Sequence, residues 1–314
     1  MTQAWVFPGQ GSQAVGMGKA LYDTFTEAKE VFQEVDDVLS QELSTLIFEG
    51  PMEELTLTAN TQPALMAVSL AVARVLEKQS GKTLAEMASY VAGHSLGEYA
   101  ALAAAGSFSL ADTARLLRIR GEAMQAAVPA GQGGMGALIG ADLAQAEAIA
   151  QEAAQGDVLQ VANDNSPGQI VLSGAKAAVE RVAEIAATHG IKRFVPLPVS
   201  APFHSALMQP AAERMREALA EVQVQAPSVP LIANVTTAET TDPDTIRVQL
   251  VEQVTGRVRW RESLLVLAEK GVAHTVELGA GKVLAGLTKR TVKDMEATSI
   301  GTPEEVEAYL KQWA

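Results

Sequence analysis

A two-part α/β fold is predicted from three observations. Short apolar stretches alternate with helical periodicity over residues 1–127 and again over 199–314, the order that builds a mostly parallel sheet covered on both faces. Residues 128–198 carry a different order, β-α-β-β-α-β, which is that of a small ferredoxin-like domain inserted in the larger one. Third, Gly93-His94-Ser95-Leu96-Gly97 is a G-x-S-x-G pentapeptide placed between a strand and a helix, which makes the larger domain hydrolase-like.

Each element has its own reason. Ala4-Trp5-Val6-Phe7 reads as a first buried strand, ended by Pro8-Gly9. Val31, Phe32, Val35, Val38 and Leu39, spaced by three and four, place a helix after it. A further helix is expected to start after Asn60-Thr61, with Pro63 near its first turn, and to run to about residue 78. Residues 89–92 form the strand before the pentapeptide, and the alanine-rich run 98–105 forms the helix after it, closed by Gly106. A long helix follows over 110–127. In the inserted part, strands are predicted at 135–139, 158–162, 169–172 and 193–197, and helices at 142–154 and 175–188. The polar run Asn163-Asp164-Asn165-Ser166-Pro167-Gly168 reads as the turn between the two middle strands. The larger pattern then resumes, with strands near 231–234 and 273–278.

Composition narrows the function. A net charge of −13 argues against nucleic acid as a partner, because phosphates require a basic field. With no cysteine, disulfides, thiolate metal sites and a cysteine nucleophile are excluded. The N-terminus shows no signal-peptide pattern, and the most apolar stretch, 64–76, is interrupted by Ser69 and Arg74 and too short to span a bilayer. A soluble, cytoplasmic protein with no membrane partner is expected. Gly9-Gln10-Gly11-Ser12-Gln13-Ala14 imitates a dinucleotide fingerprint, but the second strand it needs is replaced by helical periodicity. Gly131 to Gly136 matches as well, but enters a strand after a helix. No H-E-x-x-H occurs and the four histidines are far apart, so no metal is expected.

The chemistry starts at Ser95. A tight turn between strand and helix lifts a serine hydroxyl clear of the backbone, and the free N–H groups of the following helix face any oxyanion formed there. The N–H of Leu96, directly after the serine, is one natural donor. A serine needs an adjacent base. His94 lies on the strained turn itself, and His189 beside Gly190 reads as a solvated helix end. His204, in the irregular loop where the chain returns from the insertion, is favoured over His274, which lies in a strand-like run. His274 stays open in a second reading: an α/β-hydrolase-type thioesterase or esterase with the order Ser95, Asp242 or Asp244, His274.

Six segments then appear in order: Phe7-Pro8-Gly9-Gln10-Gly11-Ser12-Gln13, Thr61-Gln62-Pro63-Ala64, Gly93-His94-Ser95-Leu96-Gly97-Glu98, Arg118-Ile119-Arg120-Gly121, Pro202-Phe203-His204-Ser205 and Glu277-Leu278-Gly279-Ala280-Gly281-Lys282-Val283-Leu284. This set resembles the malonyl-CoA:acyl carrier protein transacylase family of bacterial type II fatty-acid synthesis, and is similar to the acyltransferase domains of polyketide synthases. The resemblance covers nearly the whole chain. Ala280 departs from it, at a turn position where many relatives have proline. It implies Ser95 as nucleophile, His204 as base, the Gln10 N–H as second oxyanion donor and the Gln253 backbone carbonyl as the group orienting the histidine. It implies malonyl-CoA as substrate, acyl carrier protein as partner and no permanently bound cofactor. Of the arginines at 115, 118 and 120 it selects Arg120, whose planar guanidinium suits the malonyl carboxylate. A bulky Phe203 beside the base goes, in the family, with malonyl selectivity. Since such carriers are acidic, two basic clusters, Lys192-Arg193 and Lys289-Arg290 with Lys293, are expected to dock them, with Arg257, Arg259 and Arg261 as a rival patch.

Overall fold

In the computed structural model, residues 2–199 and 201–313 are described. Met1, Ser200 and Ala314, which the expected domain bounds include, lie outside the described residues. The larger sheet has six strands: β1 (Gln3–Phe7), β2 (Tyr90–Gly93), β7 (Leu231–Ile232), β8 (Glu239–Thr240), β9 (His274–Leu278) and β10 (Glu296–Ile300). Their order is β10-β9-β1-β2-β7-β8, and every pairing is parallel except β7 with β8. The fully buried β1 lies between β9 and β2, where a strand with no polar face belongs.

Beside this sheet runs the long helix Thr58–Ser80, buried through most of its length. It begins earlier than the sequence suggests, so Pro63 sits inside it rather than in its first turn. The helix Leu110–Ala126 packs against its start at Gly121, where a Cβ would stand 2.6 Å from the Thr58 carbonyl oxygen. That close approach brings the neighbouring Arg120 alongside Gln62.

The second sheet is antiparallel throughout, with strands β3 (Gly133–Ile139), β4 (Leu159–Ser166), β5 (Gln169–Ala175) and β6 (Arg193–Pro196) in the order β4-β5-β3-β6. Its side chains alternate between two cores, as period-two geometry requires. Leu138, Val161, Ile170 and Leu172 pack with the helices Leu143–Ala154 and Lys176–Thr188. Met135, Ala137, Ala162 and Val171 face the main core of the chain.

One expectation is corrected here. The run 163–168 is not a six-residue turn: β4 continues through Ser166, and only Pro167-Gly168 turn. Asp164 and Asn165 are buried because each finds a side-chain partner across the junction between the sheets. Asp164 accepts from Arg261 Nε at 3.0 Å and Nη2 at 2.8 Å, and Asn165 Oδ1 lies 2.8 Å from His94 Nε2. The backbones also join, Asp164 N–H to the Val258 oxygen at 3.0 Å and Val258 N–H to the Ala162 oxygen at 2.8 Å. Among the described residues, no helix is long and apolar enough to cross a membrane.

Candidate active site

Ser95 sits at the end of β2, with φ of 54°, immediately before the helix Gly97–Ala104. A left-handed conformation at a non-glycine residue costs about 1–3 kcal/mol, so its surroundings must impose it. Two glycines make the turn possible. A Cβ on Gly93 would stand 1.9 Å from the Gly97 carbonyl oxygen, and one on Gly97 would stand 2.2 Å from that of Phe7. The Ser95 N–H donates to Asn234 Oδ1 at 2.9 Å, while Asn234 Nδ2 donates to the Gly93 oxygen at 2.7 Å. Both Gln10 and Leu96 line the cavity around Ser95, and among the described residues neither backbone N–H has an acceptor.

His204 lies 109 residues further along the chain, after the strands of the second sheet, and its Nε2 lies 2.8 Å from Ser95 Oγ. Its φ of 55° is again left-handed. The ring Nδ1 faces two carbonyl oxygens, Gln253 at 2.8 Å and Gly256 at 3.1 Å. Carbonyls only accept, so Nδ1 carries the proton and Nε2 is left to accept from the serine. Burial first, and the Arg120 guanidinium second, hold the imidazole down to about 3. It is therefore neutral near pH 7.

Arg120 is only 1% exposed. Its Nη1 donates to Gln62 Oε1 at 2.8 Å, and its Nη2 to Gln253 Oε1 at 2.6 Å and Ser95 Oγ at 3.1 Å. The guanidinium also stands 5.6 Å from the centroid of the Tyr99 ring. Among the described residues, every side chain bonded to it is neutral, and Nε has no partner. Burial lowers its pKa, opposed by Tyr99 and Glu98. A buried cation beside the hydroxyl, held by neutral groups, is a receptor for an anion. Phe203 closes the cavity, of about 160 Å³, next to His204.

The remaining candidates fall elsewhere. His274 is the first residue of β9 and bonds to Thr298 Oγ1 at 2.7 Å, whereas the site stands at the carboxyl ends of β1 and β2. Asp242 caps the helix Pro243–Thr255 and Asp244 pairs with Arg247 on the surface. The Ser95–Asp–His274 arrangement is thus not assembled, because parallel strands put the two ends of the sheet on opposite sides. His94 is the exception in place, since it lines the cavity, but its Nε2 lies 2.8 Å from Asn165 Oδ1 and its ring stands beside Trp260; His189 pairs with Glu152. Arg193 lies opposite Ile139, and Ile139 opposite Gln169, whose Oε1 accepts from Arg290 Nη1 at 2.8 Å. The two basic clusters therefore share one end of the small sheet, four residues or about 13 Å along β3 from the cavity residue Met135. Lys192, Arg193, Lys289 and Arg290 are all exposed. Arg257, Arg259 and Arg261 are each paired with a carboxylate, Glu147, Glu262 and Asp164.

Sequence reasoning missed the scaffold of polar groups behind these residues: Gln62, Glu98, Asn165, Asn234 and the side chain of Gln253. Gln62 and Glu98 lie within the segments quoted above, but nothing in the local pattern distinguishes a buried partner from a surface amide or acid.

A parallel sheet that presents a serine to a buried histidine at its strand ends is a scaffold for acyl transfer. The chain belongs to the acyl transferase domain family, whose model matches residues 4–309. Over nearly its whole length it is similar to the malonyl CoA-acyl carrier protein transacylase of Escherichia coli strain K12, 46% identical over 312 residues that cover 99% of this chain and all of that one. The solved acyl-carrier-protein-S-malonyltransferase of Bartonella henselae is 57% identical, with a TM-score of 0.95 and coverage of 100% of this chain and 99% of the other. A second structure, of a type II PKS acyl-carrier protein in complex with its malonyl-transacylase, is 41% identical, with a TM-score of 0.96 and coverage of 99% and 100%.

Proposed function

We propose that this chain moves a malonyl group from malonyl-CoA to the phosphopantetheine thiol of an acyl carrier protein, as in fatty-acid synthesis, through a malonyl ester on Ser95. The carrying observation is that one hydroxyl, Ser95 Oγ, is held 2.8 Å from a neutral imidazole nitrogen and 3.1 Å from a buried guanidinium. His204 Nε2 takes the hydroxyl proton as Oγ attacks the thioester carbon. The oxyanion is met by the N–H groups of Leu96 and Gln10, which are free to receive it. The carbon–sulfur bond breaks, and the departing CoA sulfur takes the proton back from His204. The carrier thiol then enters, loses its proton to the same nitrogen and attacks the ester carbonyl; the bond from that carbon to Ser95 Oγ breaks as His204 gives the proton to Oγ. The Gln253 carbonyl holds the imidazole in the required tautomer throughout. Arg120 grips the malonyl carboxylate with paired donors, and Phe203 limits the space beside it.

The carrier docks, in this proposal, at Lys192, Arg193, Lys289 and Arg290, and its flexible arm spans the distance to Ser95. We further infer that residues 128–198 are a ferredoxin-like domain inserted between 1–127 and 199–314. The strand order, the two helices on one face and the separate core beneath them support this division. A chain without cysteine suits the reducing cytoplasm, the location included in the proposal.

The test is intact-protein mass after mixing with malonyl-CoA. One malonyl group added to the wild-type chain and none added to Ser95→Ala is the expected result. Labelling that survives in the alanine variant refutes the assignment, and rapid release of free malonate makes the chain a hydrolase instead.

A further inference from the structure

The group that decides how Gln253 points is Glu98. This carboxyl group is 1% exposed and touches neither the cavity nor Arg120 directly. Its Oε1 accepts the backbone N–H of Asn234 at 2.9 Å, and its Oε2 accepts Gln253 Nε2 at 2.6 Å. The same Nε2 donates to the Ser95 carbonyl oxygen at 2.9 Å. Two acceptors on one side of the Gln253 amide fix its –NH₂ there, and the amide oxygen then faces Arg120 Nη2 at 2.6 Å. On the other side, Asn234 holds the Ser95 N–H at 2.9 Å.

We propose that Glu98 is a positioning residue with two separable outputs: through Gln253 it aims Arg120, and through Asn234 it holds the turn that carries Ser95. This rests on the acyl-transfer reading above. The argument turns on donor and acceptor count. An ionised carboxylate can only accept, so both of its neighbours must present N–H groups. A glutamine at this position has one oxygen and one –NH₂. Its oxygen keeps the bond to the Asn234 backbone N–H, which has no alternative. Its –NH₂ then faces Gln253 and forces that amide to turn over. Gln253 would present –NH₂ to Arg120, donor against donor, and the guanidinium would lose its aim at the hydroxyl and at an incoming carboxylate. Burial raises the Glu98 carboxyl to about 7, and the N–H bonds from Asn234 and Gln253 oppose that rise by favouring the ionised, accepting form.

The experiment compares Glu98→Gln with the wild type, using malonyl-CoA and acetyl-CoA separately and reading acylation of Ser95 by rapid-quench mass spectrometry. Acetyl carries no carboxylate and needs no aimed guanidinium. The preference for malonyl over acetyl should fall about tenfold or more in Glu98→Gln, the worth of a hydrogen bond to a charged group. The loss should appear mainly as a higher KM for malonyl-CoA. Equal losses for the two acyl groups, or an unchanged preference, overturn the assignment. If Glu98→Gln does not fold, Gln253→Met severs the same link while leaving the backbone carbonyl in place; it should show the same split, and equal losses there also overturn it. A wild-type chain that forms no malonyl ester refutes the acyl-transfer reading itself, whereas a normal wild type with equal losses in the variants refutes only the role of Glu98.

Discussion

Ser95 Oγ lies 2.8 Å from His204 Nε2 and 3.1 Å from Arg120 Nη2, and the charges of the three side chains are unequal. Arg120 is a permanent cation, and its field helps hold His204 down to about 3. A base protonated only near pH 3 stays active far below the usual histidine range, and its activity is lost as pH falls through the folded value. With acetyl-CoA, whose acyl group does not titrate, the acid limb of the acylation rate should therefore lie well below pH 6.5. A limb at 6–7 in a stopped-flow pH series would contradict this. Arg120→Ala should move the limb upward, since the second-largest cause of the depression is removed. The same variant should lose malonyl transfer far more than acetyl transfer. A buried carboxylate deprived of its partner costs roughly 3–5 kcal/mol, on the order of 10²–10⁴ in kcat/KM. Equal losses for the two acyl groups would make Arg120 a structural residue.

At the scale of elements, the turn between β2 and the helix Gly97–Ala104 explains why the pentapeptide was legible. Its glycines are dictated by backbone contacts of 1.9 and 2.2 Å, so the motif records a steric requirement that any sequence making this turn must meet. Gly97→Ala should cost about 3 kcal/mol or more, because the blocking atom is the Phe7 backbone and cannot rotate away. A fall in Tm of several degrees, together with loss of Ser95 labelling, is expected; a variant as stable and active as wild type would show that the turn relaxes freely. The strand β4 was half hidden for the opposite reason. Asn163 to Ser166 have turn composition, and what makes them a buried strand is distant in sequence: Asn165 meets His94 71 residues away, and Asp164 meets Arg261 97 residues away. Local pattern reports a residue's own preference and says nothing about a partner supplied by another part of the chain. The same holds for Glu98 and Asn234, whose bond spans 136 residues. The edge strand β10, with only Ile300 buried, carries too little apolar alternation to announce itself.

For the whole molecule, the net charge of −13 and the proposed acidic partner call for a local basic surface. The register of β5, β3 and β6 brings Arg290 and Arg193 to one end of the small sheet. Reversing charge at Lys192 and Arg193, or at Lys289 and Arg290, should slow transfer to the carrier and flatten its salt dependence, with self-malonylation from CoA much less affected. Wild-type carrier kinetics in both reversals would place docking elsewhere. The site also draws on positions 10, 95, 120, 204 and 253, which span most of the chain. During synthesis on the ribosome, the serine turn and its helix emerge more than a hundred residues before the histidine, and the carbonyl that orients the histidine emerges later still. A nascent chain shorter than this exposes a hydroxyl with no base and no second half of its cavity. Without that base the serine hydroxyl of an unfinished or truncated product is a poor nucleophile, so such a product should not react with a passing acyl thioester.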